Sequence, residues 1–146
     1  MTNLKKYQRS FHDAEKFAIG ILNELPENLI YHNKEHTTEI VLPAAIRLAE
    51  LEGFSEREIL LVAVSALFHD TGYKLRYLEN ERLGAAQALG YMKVYLIGCE
   101  GLPYTEEDMN IVTAAIENTD MKSPPKTKFE KVLRDEEKSN WSKVRN

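Results

Sequence analysis

The stretch that most constrains this chain runs from Ile59 to Phe68, where Ser65 alone interrupts a run of apolar side chains. It is preceded by Ser55-Glu56-Arg57-Glu58, a capping box that starts a helix, and followed by His69-Asp70-Thr71-Gly72. A helix with no polar face has to be wrapped by other elements, and this one is far too short to cross a membrane. The chain is therefore expected to fold around it as a central helix. A buried helix end leaves carbonyl groups to satisfy, and an uncompensated carboxylate there is costly. His69 and Asp70 at that end thus call for a nearby cation.

The remaining segments read as helices that could supply the wrapping, with no strong strand pattern. Phe11, Phe17, Ala18, Ile21, Leu22 and Leu25 recur at helical spacing between about Leu4 and Leu25, and Pro26 stops the segment. A second helix is expected from near Asn33 to Leu51, kinked by Pro43, with Ile40, Val41, Ala44, Ala45 and Leu48 inward and Gly53 closing it. After Gly72 a helix is expected from Glu79 to about Ile97, then a break at Gly98 to Pro103. Thr105-Glu106-Glu107-Asp108 resembles a capping box and opens a helix through Ile111, Val112, Ala115 and Ile116. Ser123-Pro124-Pro125 marks a loop. A last helix would place Phe129, Val132, Leu133, Glu136, Asn140, Trp141 and Val144 near one face, aiming Asp135 inward. The expected architecture is all-α, an assembly of about six helices in a single domain over 1–146, with no repeat or linker.

Charge and cysteine content narrow the function classes. A net charge of -4 gives no global attraction for a nucleic acid polymer or an anionic membrane. The one cysteine, Cys99, excludes an intrachain disulfide framework and a thiolate metal cage, and suits a reducing compartment. Met1 to Phe11 is polar and cationic, without the apolar core of a signal peptide, so a cytoplasmic protein is expected.

The four histidines are His12, His32, His36 and His69. His12-Asp13 lies in a polar segment and reads as a surface pair. His32 and His36 stand one helical turn apart, so both can face one pocket. His36, His69, Asp70 and Asp135, spread over three expected helices, offer nitrogen and carboxylate donors for one divalent ion. That donor set suits Mn, Fe, Co, Ni or Zn, and its two carboxylates also admit Mg.

These residues, in this order, resemble the HD-domain phosphohydrolase superfamily. The resemblance lies in Tyr31-His32-Asn33-Lys34-Glu35-His36-Thr37, then Ala66-Leu67-Phe68-His69-Asp70-Thr71-Gly72-Tyr73, then Val132-Leu133-Arg134-Asp135, and covers about residues 30 to 136. It implies an HD-type helical bundle with His36, His69, Asp70 and Asp135 as metal ligands. Tyr31-His32-Asn33 is similar to a segment of cyclic-nucleotide phosphodiesterases, which implies a general-acid role for His32. Two features depart from the pattern. Where many relatives carry a histidine in an Asn-His-Glu type segment, this chain has Asn80 and Glu81, so a second histidine-built metal site is not expected. Asp135 is followed by Glu136, Glu137 and Lys138 in place of Asp-Ala-Asp-Leu, an altered C-terminal motif.

The expected activity is metal-dependent hydrolysis of a phosphoester in a nucleotide or other small phosphorylated metabolite. A divalent ion with an open position lowers the pKa of bound water. Asp70 would orient that water and His32 would protonate the leaving oxygen. Lys34, Lys74, Arg76 and Arg82 could neutralise phosphate oxygens, and Asn80 and Glu81 are further candidates for substrate binding; each of these cations, like Lys126 and Lys128, reads more simply as a solvated surface charge. The competing expectations are a non-catalytic HD-like module that keeps metal or nucleotide for regulation, and an iron oxygenase, for which four histidines are few. Tyr73, Tyr77, Tyr91, Tyr95 and Tyr104 invite a base-stacking role, but packing is the simpler one for most. Cys99 likewise reads as a packing residue.

Overall fold

The computed structural model describes residues 7–23, 41–69, 71, 80–98, 100–120 and 124–135. Six helices account for most of them: α1 (Gln8–Leu22), α2 (Leu42–Leu51), α3 (Glu56–Phe68), α4 (Asn80–Val94), α5 (Glu106–Glu117), and α6 over 128–135. The architecture is all-α, as the periodicity predicts.

Helix α3 is the axis of the bundle. Ser55 Oγ accepts the Glu58 N–H while Glu58 accepts the Ser55 N–H, so both halves of the capping box form. All ten residues from Ile59 to Phe68 are buried, including Ser65, whose hydroxyl donates to the Leu61 carbonyl at 2.9 Å. Helices α1, α2, α4 and α5 pack directly on it. Helix α5 opens the same way, with Thr105 and Asp108 exchanging side-chain-to-backbone hydrogen bonds. Asp108 also holds Arg57 at 2.5 Å, tying the start of α5 to that of α3.

Pro43 sits in the first turn of the described α2, where a missing N–H costs nothing. Val41 has helical dihedrals, and the part of the expected second helix before it lies outside the described residues. Helix α4 ends at Val94, short of the expected Ile97. Leu96–Ile97 (β1) instead pairs antiparallel with Leu102–Pro103 (β2), Leu96 opposite Pro103 and Ile97 opposite Leu102. Gly101, at φ 62°, takes the left-handed conformation and donates to the Ile97 carbonyl, which lets so short a hairpin close. The hairpin is fastened to α1 by Ser10, whose hydroxyl accepts from the Gly98 N–H.

Thr127 caps α6, its hydroxyl accepting from the Glu130 N–H. The buried Glu130 carboxylate takes the Lys126 N–H and the Thr127 O–H in return. Phe129, Val132 and Leu133 are buried and belong to the same apolar cluster as α3. Phe129 meets Phe54 edge-on at 5.4 Å between ring centroids. The last helix thus packs on the bundle as its spacing predicts; Trp141 lies outside the described residues. No helix of the described residues is long and apolar enough to cross a membrane.

Candidate functional site

His69 occupies the C-cap of α3, with αR dihedrals and only 1% of its surface exposed. Its Nδ1 stands 2.7 Å from the Ala66 carbonyl oxygen. A carbonyl oxygen can only accept, so Nδ1 carries the proton in this contact, and a neutral imidazole then presents its lone pair at Nε2. This is the arrangement by which a backbone carbonyl fixes the tautomer of a metal-binding histidine.

The carbonyls that end α3 are partly satisfied from within this corner. Ala66 receives the imidazole, and Phe68 receives the hydroxyl of Thr71, a residue with no exposed surface, at 3.0 Å. Helix α4 also meets this corner, at Gly84. A Cβ added there would fall well inside contact distance of the Phe68 carbonyl oxygen and 3.4 Å from that of His69. Only glycine lets the α4 backbone come this close. Sequence reasoning did not single out Gly84 or the hydroxyl of Thr71 for the site. A glycine inside a helix is the one local sign of such an approach, and Gly90, with nothing near its Cβ position, shows that the sign is ambiguous.

Of the other candidates, Glu81 is half-buried in the first turn of α4, which Asn80 begins. That turn directly precedes Gly84. Asp135 is exposed, and its carboxylate pairs with Lys131 one turn earlier at 3.6 Å. The inward aim expected for it is not what the structure shows, and helical register is the reason. With Phe129, Val132 and Leu133 inward, position 135 points about 110° away from the centre of the buried face at 100° per residue. His32, Lys34, His36, Asp70, Lys74 and Arg76 lie outside the described residues, as do Tyr73, Tyr77 and Cys99. Among the described residues no three His, Cys, Asp or Glu side chains come together as a metal site.

Lys128 pairs with Glu58 at 2.6 Å and lies 4.6 Å from the centre of the Phe54 ring. Arg82 is exposed. Tyr91 and Tyr104 are buried and hydroxyl-bonded to each other at 2.7 Å; Tyr91 also stacks on Phe68 and on the half-buried Tyr95. Arg57 has its pKa raised: burial alone would lower it, but the hydrogen bond and charge of Asp108 outweigh that. Comparison with protein-family models, with curated protein sequences and with solved structures finds no match.

Proposed function

We propose that this protein is a metal-dependent phosphohydrolase acting on a phosphoester of a nucleotide or another small phosphorylated metabolite, in the manner of HD domains. The observation that carries the reading is His69: a buried imidazole at the end of the most apolar helix, with Nδ1 committed to the Ala66 carbonyl. His36, His69 and Asp70 would hold one ion of the Mn, Fe, Co, Ni, Zn or Mg group, and Asp135 would join them only if α6 turned it away from Lys131. When bound, such an ion polarises water and the phosphoryl oxygens. The chain's own residues divide the remaining work. Asp70 orients the attacking water, His32 holds the proton that goes to the leaving oxygen, and Lys34, Lys74, Arg76, Asn80 and Glu81 hold the substrate.

A second reading has an observation in its favour. The exposure of Asp135 and its pairing with Lys131 suit a catalytically degenerate module that keeps metal or nucleotide for regulation. Elemental analysis of the purified protein, joined to a metal-by-substrate screen over nucleoside mono- and triphosphates, cyclic nucleotides and generic phosphoesters, separates the two. Turnover that requires metal and falls in His69→Ala together with metal content is the expected result. Metal bound without turnover of any substrate selects the regulatory module. Stoichiometric metal retained by His69→Ala with unchanged affinity removes His69 from the ligand set.

A further inference from the structure

We propose that Gly84 and Thr71 are positioning residues for His69, both meeting the Phe68 carbonyl and so fixing the last turn of α3, from which the imidazole projects. The metal arm of this inference rests on the reading above; its geometric arm does not.

The argument starts from the carbonyls that an α-helix cannot satisfy in its last turn. In α3 these belong to Ser65, Ala66, Leu67 and Phe68. The imidazole of His69 donates to Ala66, so its ring plane is set by where that carbonyl points. Phe68 is the residue from which His69 is hung, and its carbonyl meets both Thr71 and α4. The Thr71 hydroxyl donates to that oxygen at 3.0 Å, and the α4 backbone at Gly84 leaves no room beside it for even a methyl group. The peptide joining Phe68 to His69 therefore has little freedom to rotate. If it did rotate, the imidazole would swing with it and its bond to Ala66 would lengthen.

Both clamps meet backbone atoms, so each acts through the backbone. A Cβ at position 84 must push α4 or the Phe68 carbonyl aside, because the obstructing atom is backbone and cannot step away as a side chain can. Loss of the Thr71 hydroxyl removes the bond without adding volume. Two opposite perturbations, one steric and one polar, are thus expected to disturb the same ring. Gly90 on the same helix has open space around its Cβ position and supplies the control.

The test uses the full chain and four variants: Gly84→Ala, Thr71→Val, Thr71→Ser and Gly90→Ala. Long-range proton–nitrogen NMR of the imidazoles, with His69 assigned by its loss in His69→Gln, reports the tautomer without any metal. Titration with Zn²⁺ reports the ligand function. In the wild type His69 is expected as the pure Nδ1–H tautomer. Gly84→Ala and Thr71→Val are expected to give a mixed or shifted tautomer and to weaken Zn²⁺ binding by about 10- to 100-fold, the usual cost of losing a group that orients a ligand. Thr71→Ser, which keeps the hydroxyl, and Gly90→Ala are expected to match the wild type in both. If Gly84→Ala does not fold, Thr71→Val against Thr71→Ser decides alone. Folded Gly84→Ala and Thr71→Val with wild-type His69 signals overturn the inference, whatever their Zn²⁺ affinity. His69 signals that respond as expected in a chain that binds no Zn²⁺ uphold the positioning and overturn the metal reading instead.

Discussion

Tyr91 carries a phenol to a place with no exposed surface, and its hydroxyl settles two other residues at once. It donates to the Ser10 carbonyl at 3.0 Å, and since that proton is then spent, Tyr104 donates to Tyr91 across 2.7 Å. Burial pushes the Tyr91 pKa far up, with the neighbouring Tyr104 adding to it, and pushes Tyr104 up to about 12. Both folded values lie above the ordinary 10.0. The stability these neutral phenols contribute is therefore complete below that value and is lost as pH rises through the folded ones. Tyr91→Phe removes both hydrogen bonds, at a combined cost of about 1–3 kcal/mol. Urea unfolding near pH 7 should show a lower midpoint, and the variant should lose less stability than the wild type on going to strong alkali. An unchanged midpoint would mean that the chain of hydroxyls contributes nothing to the fold.

The helices meet at their ends, and Glu58 is where two of them are joined. It completes the cap of α3 and pairs with Lys128 of α6. Its pKa is lowered from 4.5, first by the hydrogen bond with Lys128 and next by the Ser55 N–H. A depressed carboxylate contributes stability above its unfolded value and loses it as pH falls through the folded one. Glu58→Gln keeps a capping acceptor but not the charge. The variant should be less stable at neutral pH by under about 1 kcal/mol, because the pair is partly solvated, and the two proteins should converge as the pH falls through the lowered folded value of Glu58. Urea midpoints at neutral pH and below that value check this; an equal gap at both would assign the loss to packing.

Much of this level was legible in the sequence, because capping is local: Ser55 to Glu58 and Thr105 to Asp108 each contain their own instructions. The end of α4 was not. Leu96 and Ile97 continue its apolar run, and only their pairing with Leu102 and Pro103 across the Gly101 turn shows that they are strand. The candidate site was legible only in part, for the same reason. His69 ends an apolar run that can be read in one pass, whereas the approach of Gly84 to Phe68 depends on how two helices pack, and the aim of Asp135 on the rotation of α6.

At the scale of the molecule, one apolar cluster runs from α1 to α6. Truncation after Pro125 would remove Phe129, Val132 and Leu133 from it, each worth roughly 1.5–3 kcal/mol. Their sum is comparable with the whole stability of a small domain, about 5–15 kcal/mol. The shortened chain should melt more than about 10 °C lower or show no cooperative transition, as followed by circular dichroism. A melting curve identical to that of the full chain would show that α6 is not part of the core. Helix α3, enclosed by α1, α2, α4 and α5, has a further consequence. The amides of its buried stretch, Ile59 to Phe68, have no local route to water, so their hydrogens exchange with solvent only when the entire fold opens. His69 is mounted on that element. The imidazole therefore holds its place for as long as the molecule stays folded, a lifetime set by global unfolding and not by the nanosecond-to-microsecond wandering of a loop.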